Sequence, residues 1–416
     1  MMIQAPKGTR DVYGDEMKIW RHIESKVRSI TDAFGYSEIR TPIFESTDLF
    51  LRGVGDTTDI VQKEMYTFED KGGRSMTLRP ELTAGVARAY IERGMHSKPQ
   101  PTRLWYIGPN FRYENPQAGR YRQHYQFGVE VFGASTPATE AEVISLGWEL
   151  LASLGVKDVS LHINSIGCPS CRKVYHENLR GFIEARIDSL CGLCRTRADK
   201  NPLRILDCKN PACQEILKDA PSVLDALDDE CRNHFEDLQK LLTGFGIPFM
   251  VNSKVVRGLD YYTRTVFEFI REGESTVIGG GRYDGLIAQV GGADTPGVGF
   301  GMGIERLVLL LQKQALMSVT DDTPQIFIGS ADGQGFIAAQ KLVYGLRKKG
   351  FRAESDLLGR SVKAQMKYAD KINAQNTMIL GENELSQNEA KIKNMQTGEQ
   401  TTILLDSIGE HLNSLF

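Results

Sequence analysis

Between Phe111 and Gly133 the chain reads FRYENPQAGRYRQHYQFGVEVFG, with Arg112, Glu114, Arg120, Arg122, Gln126 and Glu130 on two strand-like runs joined by Asn-Pro-Gln-Ala-Gly turn chemistry. Side chains two apart on a strand share a face, so Arg112 points with Glu114, and Gln126 with Glu130 across Gly128. A hairpin of this kind sets cations, carboxylates and an amide over one concave surface. The plain alternative is a solvated sheet face with paired charges.

Two later segments add to it. RGLDYYTRTVFE runs from Arg257 to Glu268 and places an arginine ahead of Tyr261 and Tyr262. Tyrosines give a flat apolar wall with a polar tip, which suits a small ring that must also be hydrogen-bonded; core packing is the alternative. GVGFGMGIER, from Gly297 to Arg306, puts glycine at every second position and so strips one strand face of side chains. A helix is expected to start near Gly303, with Arg306 in its first turn, where the dipole favours an anionic phosphate. The spacing is not G-x-G-x-x-G, and no G-x-x-x-x-G-K-[ST] loop occurs. A nucleotide here would be held by arginines on an antiparallel sheet.

Six of the seven cysteines fall between Cys168 and Cys213. Cys168-Pro-Ser-Cys171 and Cys191-Gly-Leu-Cys194 have the C-x₂-C…C-x₂-C spacing of a structural Zn²⁺ site, and these four thiolates are the candidate ligands. Free thiols are the alternative. A fully thiolate-filled site would have no open position for catalysis.

A chain of 416 residues implies two or three domains, and 41% hydrophobic with 25% charged residues is a globular composition. With 50 basic against 53 acidic residues, a nucleic-acid partner would depend on local basic patches. No apolar run approaches the roughly 18 residues needed to span a bilayer. The N-terminus has no signal-peptide pattern, so a cytoplasmic location without membrane association is expected.

These groups must be positioned by elements of four textures. Up to about residue 135 strand-like and helix-like stretches alternate, with an amphipathic helix expected over Glu16–Phe34. Residues from about 168 to 244 read as a helical, cysteine-rich insertion. Strands and glycine turns return up to Leu311. After the polar linker MSVTDDTPQ, strands and helices alternate as in a small α/β domain with a largely parallel sheet. The expected fold class is α+β, with domains at 1–322, interrupted by the insertion, and 323–416. Lys348, Lys349 and Arg352 cluster there, and Lys363, Lys367 and Lys371 recur every four residues. Such a stripe is either a solvated helix face or a phosphate-binding one.

Taken together, the segment 111–133 resembles motif 2, and GVGFGMGIER motif 3, of class II aminoacyl-tRNA synthetases. RGLDYYTRTVFE and GGGRYDGL are similar to segments peculiar to the histidyl-tRNA synthetase family, and APKGTRDVYG and TLRPELTAG fit it as well. The resemblance covers essentially the whole chain. It implies an antiparallel catalytic domain, an α/β anticodon-binding domain, a homodimer with Thr41–Glu45 near its interface, and tRNA(His) as partner. The implied reaction joins L-histidine to ATP as histidyl-adenylate, releases pyrophosphate with Mg²⁺ as cofactor, and transfers histidine to the tRNA 3′ end.

By the same resemblance Arg112 and Arg257 are the catalytic arginines at the α-phosphate. Arg306 would hold the γ-phosphate, with Glu114 and Arg120 also on ATP. Glu81, Leu82, Thr83, Gln126, Glu130, Tyr261 and Tyr262 would surround histidine, together with Arg112 and Arg257. Leu82 stands where family members usually carry glycine, and Asn115 where a basic residue is common. Two rival readings exist. A synthetase-like regulatory subunit would lack the C-terminal domain and the key arginines. A zinc-containing nucleic-acid-binding module would leave the arginine and tyrosine motifs without a role.

Overall fold

The structure, a computed structural model, describes residues 2–415 apart from 56, 57, 59, 201, 207, 258, 260, 272–275, 315 and 317–322. The expected linker at 317–325 therefore lies mostly outside the described residues, as do Gly258 and Asp260 of the Arg257 segment. Two compact units are present, Met1–Ser318 and Val319–Phe416.

In the first unit the strands are β1 (Ser37–Glu38), β2 (Phe44–Ser46), β3 (Tyr66–Glu69), β4 (Ser75–Leu78), β5 (Thr102–Phe111) and β6 (Gln123–Phe132). They continue with β7 (Val159–Ser165), β8 (Phe249–Val251), β9 (Thr263–Arg271), β10 (Thr276–Arg282) and β11 (Gly297–Gly303). Eight of them form one sheet in the order β1-β5-β6-β11-β10-β9-β7-β8. Only the outer pairs β1/β5 and β7/β8 are parallel; the five inner pairings are antiparallel. β2, β4 and β3 form a smaller sheet.

The period of two along the central strands sorts residues between core and site. Phe127, Val129 and Val131 of β6, with Val298, Phe300 and Met302 of β11, join the main apolar core. Helices Asp15–Ala33, Pro137–Ser153, Asp229–Gly244 and Ile304–Lys313 close over that face. In the first of these, Ile19, Trp20, Ile23, Val27 and Thr31 form its buried stripe at helical spacing. The opposite sheet face carries Gln126, Glu130 and the alternating glycines.

The predicted insertion is helical, with Pro169–Glu184, Gly192–Lys200 and Pro211–Ile216 among its helices. Its return helix, Asp229–Gly244, gives Phe235, Leu238 and Leu242 to the main core. A buried ionic knot fixes this helix to the sheet. Arg282 of β10 donates to both carboxylate oxygens of Glu140, at 2.7 and 2.5 Å, and His234 meets the first of them at 2.6 Å. Burial alone would raise the Glu140 pKa, but the hydrogen bonds from Arg282 and His234 hold it at about 2.

In the second unit β12 (Ile326–Ser330), β13 (Ala353–Ser355), β14 (Asn376–Leu380), β15 (Glu389–Asn394) and β16 (Gln400–Leu404) are ordered β13-β12-β14-β15-β16. The first three are parallel and the last two antiparallel. The sheet is therefore mixed rather than largely parallel. In β15 Lys391 and Lys393 alternate with the buried Ala390 and Ile392, and β16 buries only Ile403, so the hairpin has little apolar signal in the sequence. Helices Gly333–Lys348 and Val362–Lys371 fall where strand–helix alternation predicts them. Among the described residues no helix is long and apolar enough to cross a membrane.

Candidate active site

All the residues expected at histidine or ATP, except Leu82, line one cavity of about 340 Å³ on the glycine-bearing face of the sheet. Arg112 and Arg120 come from the connection between β5 and β6, Arg257 from the segment before β9, and Arg306 from the first turn of the helix after β11. The expected helix start is found: Gly303 caps Ile304–Lys313.

The arginines are close enough to oppose one another. Burial lowers the pKa of Arg306, and Arg120, Arg112 and Arg257 lower it further. His124 sits in the same field, its pKa held at about 3 by burial and by Arg112 and Arg306. A site that crowds like charges in this way is built for a multivalent anion. Arg257 pairs with Glu268, whose other oxygen accepts from Thr276 Oγ1 at 2.9 Å. The carbonyl of Thr276 in turn accepts from Arg306 Nη1 at 3.0 Å. One strand end thus fixes two guanidinium groups. Among the described residues Arg257 Nε is buried with no hydrogen-bond partner, a donor held ready for a ligand. Arg112 is held by its Nε on the Pro80 carbonyl at 2.8 Å. Among the described residues Glu114 has only long ion pairs, 4.0 Å to Arg112 and 3.7 Å to Arg120, so its oxygens fit a hard cation shared with phosphate.

At the other end of the cavity stand two buried carboxylates. Glu130 accepts from Thr83 Oγ1 at 2.7 Å and Tyr106 at 2.8 Å on one oxygen, and from Tyr283 on the other. Burial nevertheless pushes its pKa up to about 8. Glu81 accepts the backbone N–H groups of Thr83 and Ala84 at 2.7 and 2.8 Å, capping helix Thr83–Glu92, and burial raises its pKa as well. Tyr261 and Tyr262 stack at 4.7 Å and border Tyr283, forming the aromatic wall. Asn110 holds Gln126 by a 2.7 Å bond from Nδ2 to Oε1.

The strand glycines have a specific use. A Cβ on Gly299 would collide with the Glu130 carboxylate, one on Gly301 with the Gln126 amide, and one on Gly279 with the Arg257 guanidinium. Gly128 makes the same allowance for Tyr106. The bare strands therefore admit the protein's own polar side chains, which lie across neighbouring strands and point into the cavity.

The Leu82 side chain is 2% exposed and packs in an apolar cluster with Val86, Tyr106 and Tyr261. Two expectations need correction. Arg112 and Glu114 do not share a strand face, because β5 ends at Phe111 and Glu114 N–H bonds back to the Arg112 carbonyl at 2.8 Å. That tight turn, with Arg122 stacked on the outward Tyr113 ring at 3.7 Å, is what brings the two side chains together. Cys168, Cys171, Cys191 and Cys194 do not form one group. Cys191 and Cys194 meet Cys208 and Cys213, whereas Cys168 and Cys171 meet Asp228 and Cys231. Each C-x₂-C pair opens its own helix, so the two face different partners.

Sequence reasoning missed Tyr106, Tyr283, Asn110, Glu268 and Glu305. Glu305 accepts Tyr125 N–H at 2.8 Å and ties the arginine-bearing helix to β6, with burial raising its pKa to about 7. Tyr106 and Tyr283 read as core aromatics; the glycine opposite each on a paired strand was the available signal.

An antiparallel sheet that gathers arginines from three distant segments onto one face, in a chain that also carries a second, smaller α/β unit, has the architecture of a class II aminoacyl-tRNA synthetase. The family described as histidyl-tRNA synthetase matches residues 8–307, and an anticodon binding domain matches residues 326–415. A histidine–tRNA ligase of Acetivibrio thermocellus is 51% identical over 98% of this chain and 99% of its own length. One of Halothermothrix orenii is 50% identical over the whole of both. The crystal structure of apo S. aureus histidyl-tRNA synthetase superposes with a TM-score of 0.85 at 40% identity, covering 99% of this chain and 100% of that one. The chain belongs to the histidyl-tRNA synthetase family.

Proposed function

We propose that the cavity activates L-histidine with ATP, forming histidyl-adenylate and pyrophosphate, and that the protein then transfers histidine to the 3′ end of tRNA(His). The single observation that carries this reading is the opposed chemistry of the two ends. Four guanidinium groups suit a triphosphate, and two buried carboxylates beside an aromatic wall suit an ammonium and a ring.

Activation brings one anion onto another, so the barrier is set by charge repulsion and in-line alignment. A histidine carboxylate oxygen forms the new bond to the α-phosphorus as the bond to the bridging oxygen of pyrophosphate breaks. Arg112 and Arg257 lie where charge builds up at the α-phosphate, and Arg306 with Arg120 takes the leaving pyrophosphate. Glu114 is the residue that would hold Mg²⁺, which when bound neutralises charge across the phosphate oxygens. Glu130 and Glu81, with Thr83, receive the substrate ammonium, Gln126 orients the substrate, and Tyr261 and Tyr262 line the imidazole pocket. A ring nitrogen matched by buried polar groups gives selectivity by binding, because an analogue lacking it would leave those groups unpaired.

The second unit would contact tRNA through Lys363, Lys367 and Lys371, all exposed on one helix, and through Lys348, Lys349 and Arg352. A homodimer in the cytoplasm completes the proposal. Its interface would include Thr41–Glu45, where Ile43 and Phe44 are 45% and 52% exposed and Phe44 touches the exposed Phe68. A Zn²⁺ enclosed by thiolates would have no open position and would take no part in the reaction.

ATP–pyrophosphate exchange tested with each of the twenty amino acids decides the matter. Exchange with histidine alone is expected. Absence of exchange with all twenty would instead make the chain a synthetase-like regulator.

A further inference from the structure

All seven cysteines are free thiols, yet they are not scattered. Cys191, Cys194, Cys208 and Cys213 form one group, and Cys168, Cys171, Cys231 and the carboxylate of Asp228 form another, with the ligating atoms in each within 4.8 Å of one another. We propose that these are two separate structural Zn²⁺ sites, one Cys₄ and one Cys₃Asp.

The distances carry the argument. Four sulfurs about 2.3 Å from a tetrahedral Zn²⁺ stand about 3.8 Å apart, and a sulfur and a carboxylate oxygen about 3.5 Å apart. Cys191 Sγ and Cys208 Sγ are 3.9 Å apart, Cys168 Sγ and Cys171 Sγ 3.6 Å, and Cys168 Sγ and Asp228 Oδ2 3.2 Å. Disulfides would need about 2.05 Å. Backbone donors already point at the sulfurs, as metal thiolates require. Cys191 N–H bonds Cys213 Sγ at 3.2 Å, Asn210 N–H bonds Cys208 Sγ at 3.4 Å, and Asp228 N–H bonds Cys171 Sγ at 3.2 Å. Asp228 divides its labour. Oδ1 caps the return helix through Cys231 N–H at 2.8 Å, leaving Oδ2 on the side of the sulfurs.

Each site replaces core that the insertion lacks. The Cys₄ group lies among Tyr175, Leu179 and Ile183 of helix Pro169–Glu184 and Leu190 beyond its end. The Cys₃Asp group joins the start of helix Pro169–Glu184 to the start of the return helix. It also borders the aromatic wall. Arg172, next to Cys171, donates to the Tyr262 carbonyl at 3.1 Å, and Cys168 and Tyr261 line one small cavity. Loss of the Cys₃Asp ion should therefore raise KM for histidine more than it lowers kcat. This last consequence, unlike the metal content, rests on the histidine-activating reading.

Elemental analysis of the full-length purified chain should give two zinc ions per chain, matching the two groups. Cys208→Ser should leave one, Cys231→Ser the other one, and the double variant none. A metal-free wild type overturns the proposal. So does a single ion lost equally from Cys168→Ser and Cys191→Ser, which would mean one site shared by the two C-x₂-C pairs. Should a variant fold poorly, the wild type alone suffices. After chelation, titration with Co²⁺ should build thiolate-to-cobalt absorption up to two equivalents; saturation at one, or no such absorption, refutes two sites. Unchanged KM for histidine in a Cys231→Ser protein that has lost one ion would remove only the link to the aromatic wall.

Discussion

The Arg257 guanidinium lies directly over Gly279, in the space that any side chain at that position would occupy. The arginine and the glycine are one device: β10 is bare at that point so that the cation can lie flat across it, paired to Glu268 on β9. Gly279→Ala should displace Arg257 without removing it. Pyrophosphate exchange is expected to fall by roughly 10²–10³ in kcat, the scale for losing one preorganised donor. The thermal midpoint should stay close to that of the wild type. Equal activity in the alanine variant would show that Arg257 is not held where the reaction needs it.

Glu130 supplies a pH dependence with a definite sign. With its pKa near 8 the free protein carries this carboxyl protonated at neutral pH, and a bound ammonium favours the ionised form. Histidine binding should then expel a proton below pH 8. Affinity is expected to rise with pH by at most about tenfold per unit, flattening above 8. Glu130→Gln should abolish that slope and raise Kd by roughly 30-fold or more, as for truncating a buried charge pair. Calorimetry in two buffers of different ionisation enthalpy measures the proton directly.

Stability at low pH should follow Glu140. Its pKa in the fold, about 2, lies below its ordinary value of 4.5, so its contribution is complete above pH 4.5 and is lost as pH falls through 2. The shift corresponds to about 3 kcal/mol. Arg282→Met takes the guanidinium from the buried carboxylate and leaves it to His234; it should cost about 3–5 kcal/mol at neutral pH, read by denaturant unfolding.

The basic stripe of the second unit separates the two half-reactions. Lys363→Glu with Lys367→Glu should raise KM for tRNA about tenfold at physiological salt and flatten its salt dependence. Histidine-dependent pyrophosphate exchange should not change. A matching loss in both assays would place those lysines in a structural role.

How far the sequence could be read depended on whether a residue acts alone or through a partner. Strand glycines and the helix start at Gly303 were legible because each follows from local spacing, and the arginines because the segments that carry them resemble family motifs. The contacts that make them work were not. Nothing near Glu130 in the chain points to Tyr283, 153 residues away, and nothing local pairs Glu268 with Arg257 before both strand registers are known. The cysteines teach the same lesson. Two C-x₂-C pairs imply one site by spacing, but each pair starts a different helix and finds its partners downstream, including an aspartate that reads as an ordinary helix cap.

The lowering of the Arg306 pKa by burial, and further by Arg120, Arg112 and Arg257, has a bearing on how the protein behaves when idle. Cations pressed together in a partly desolvated hollow work against the fold, so a polyanion bound there should add stability that the ligand-free protein lacks. Pyrophosphate or tripolyphosphate, with no amino acid present, should act as a thermal protectant. Product release then becomes a step in which the fold gives up some of its own cohesion.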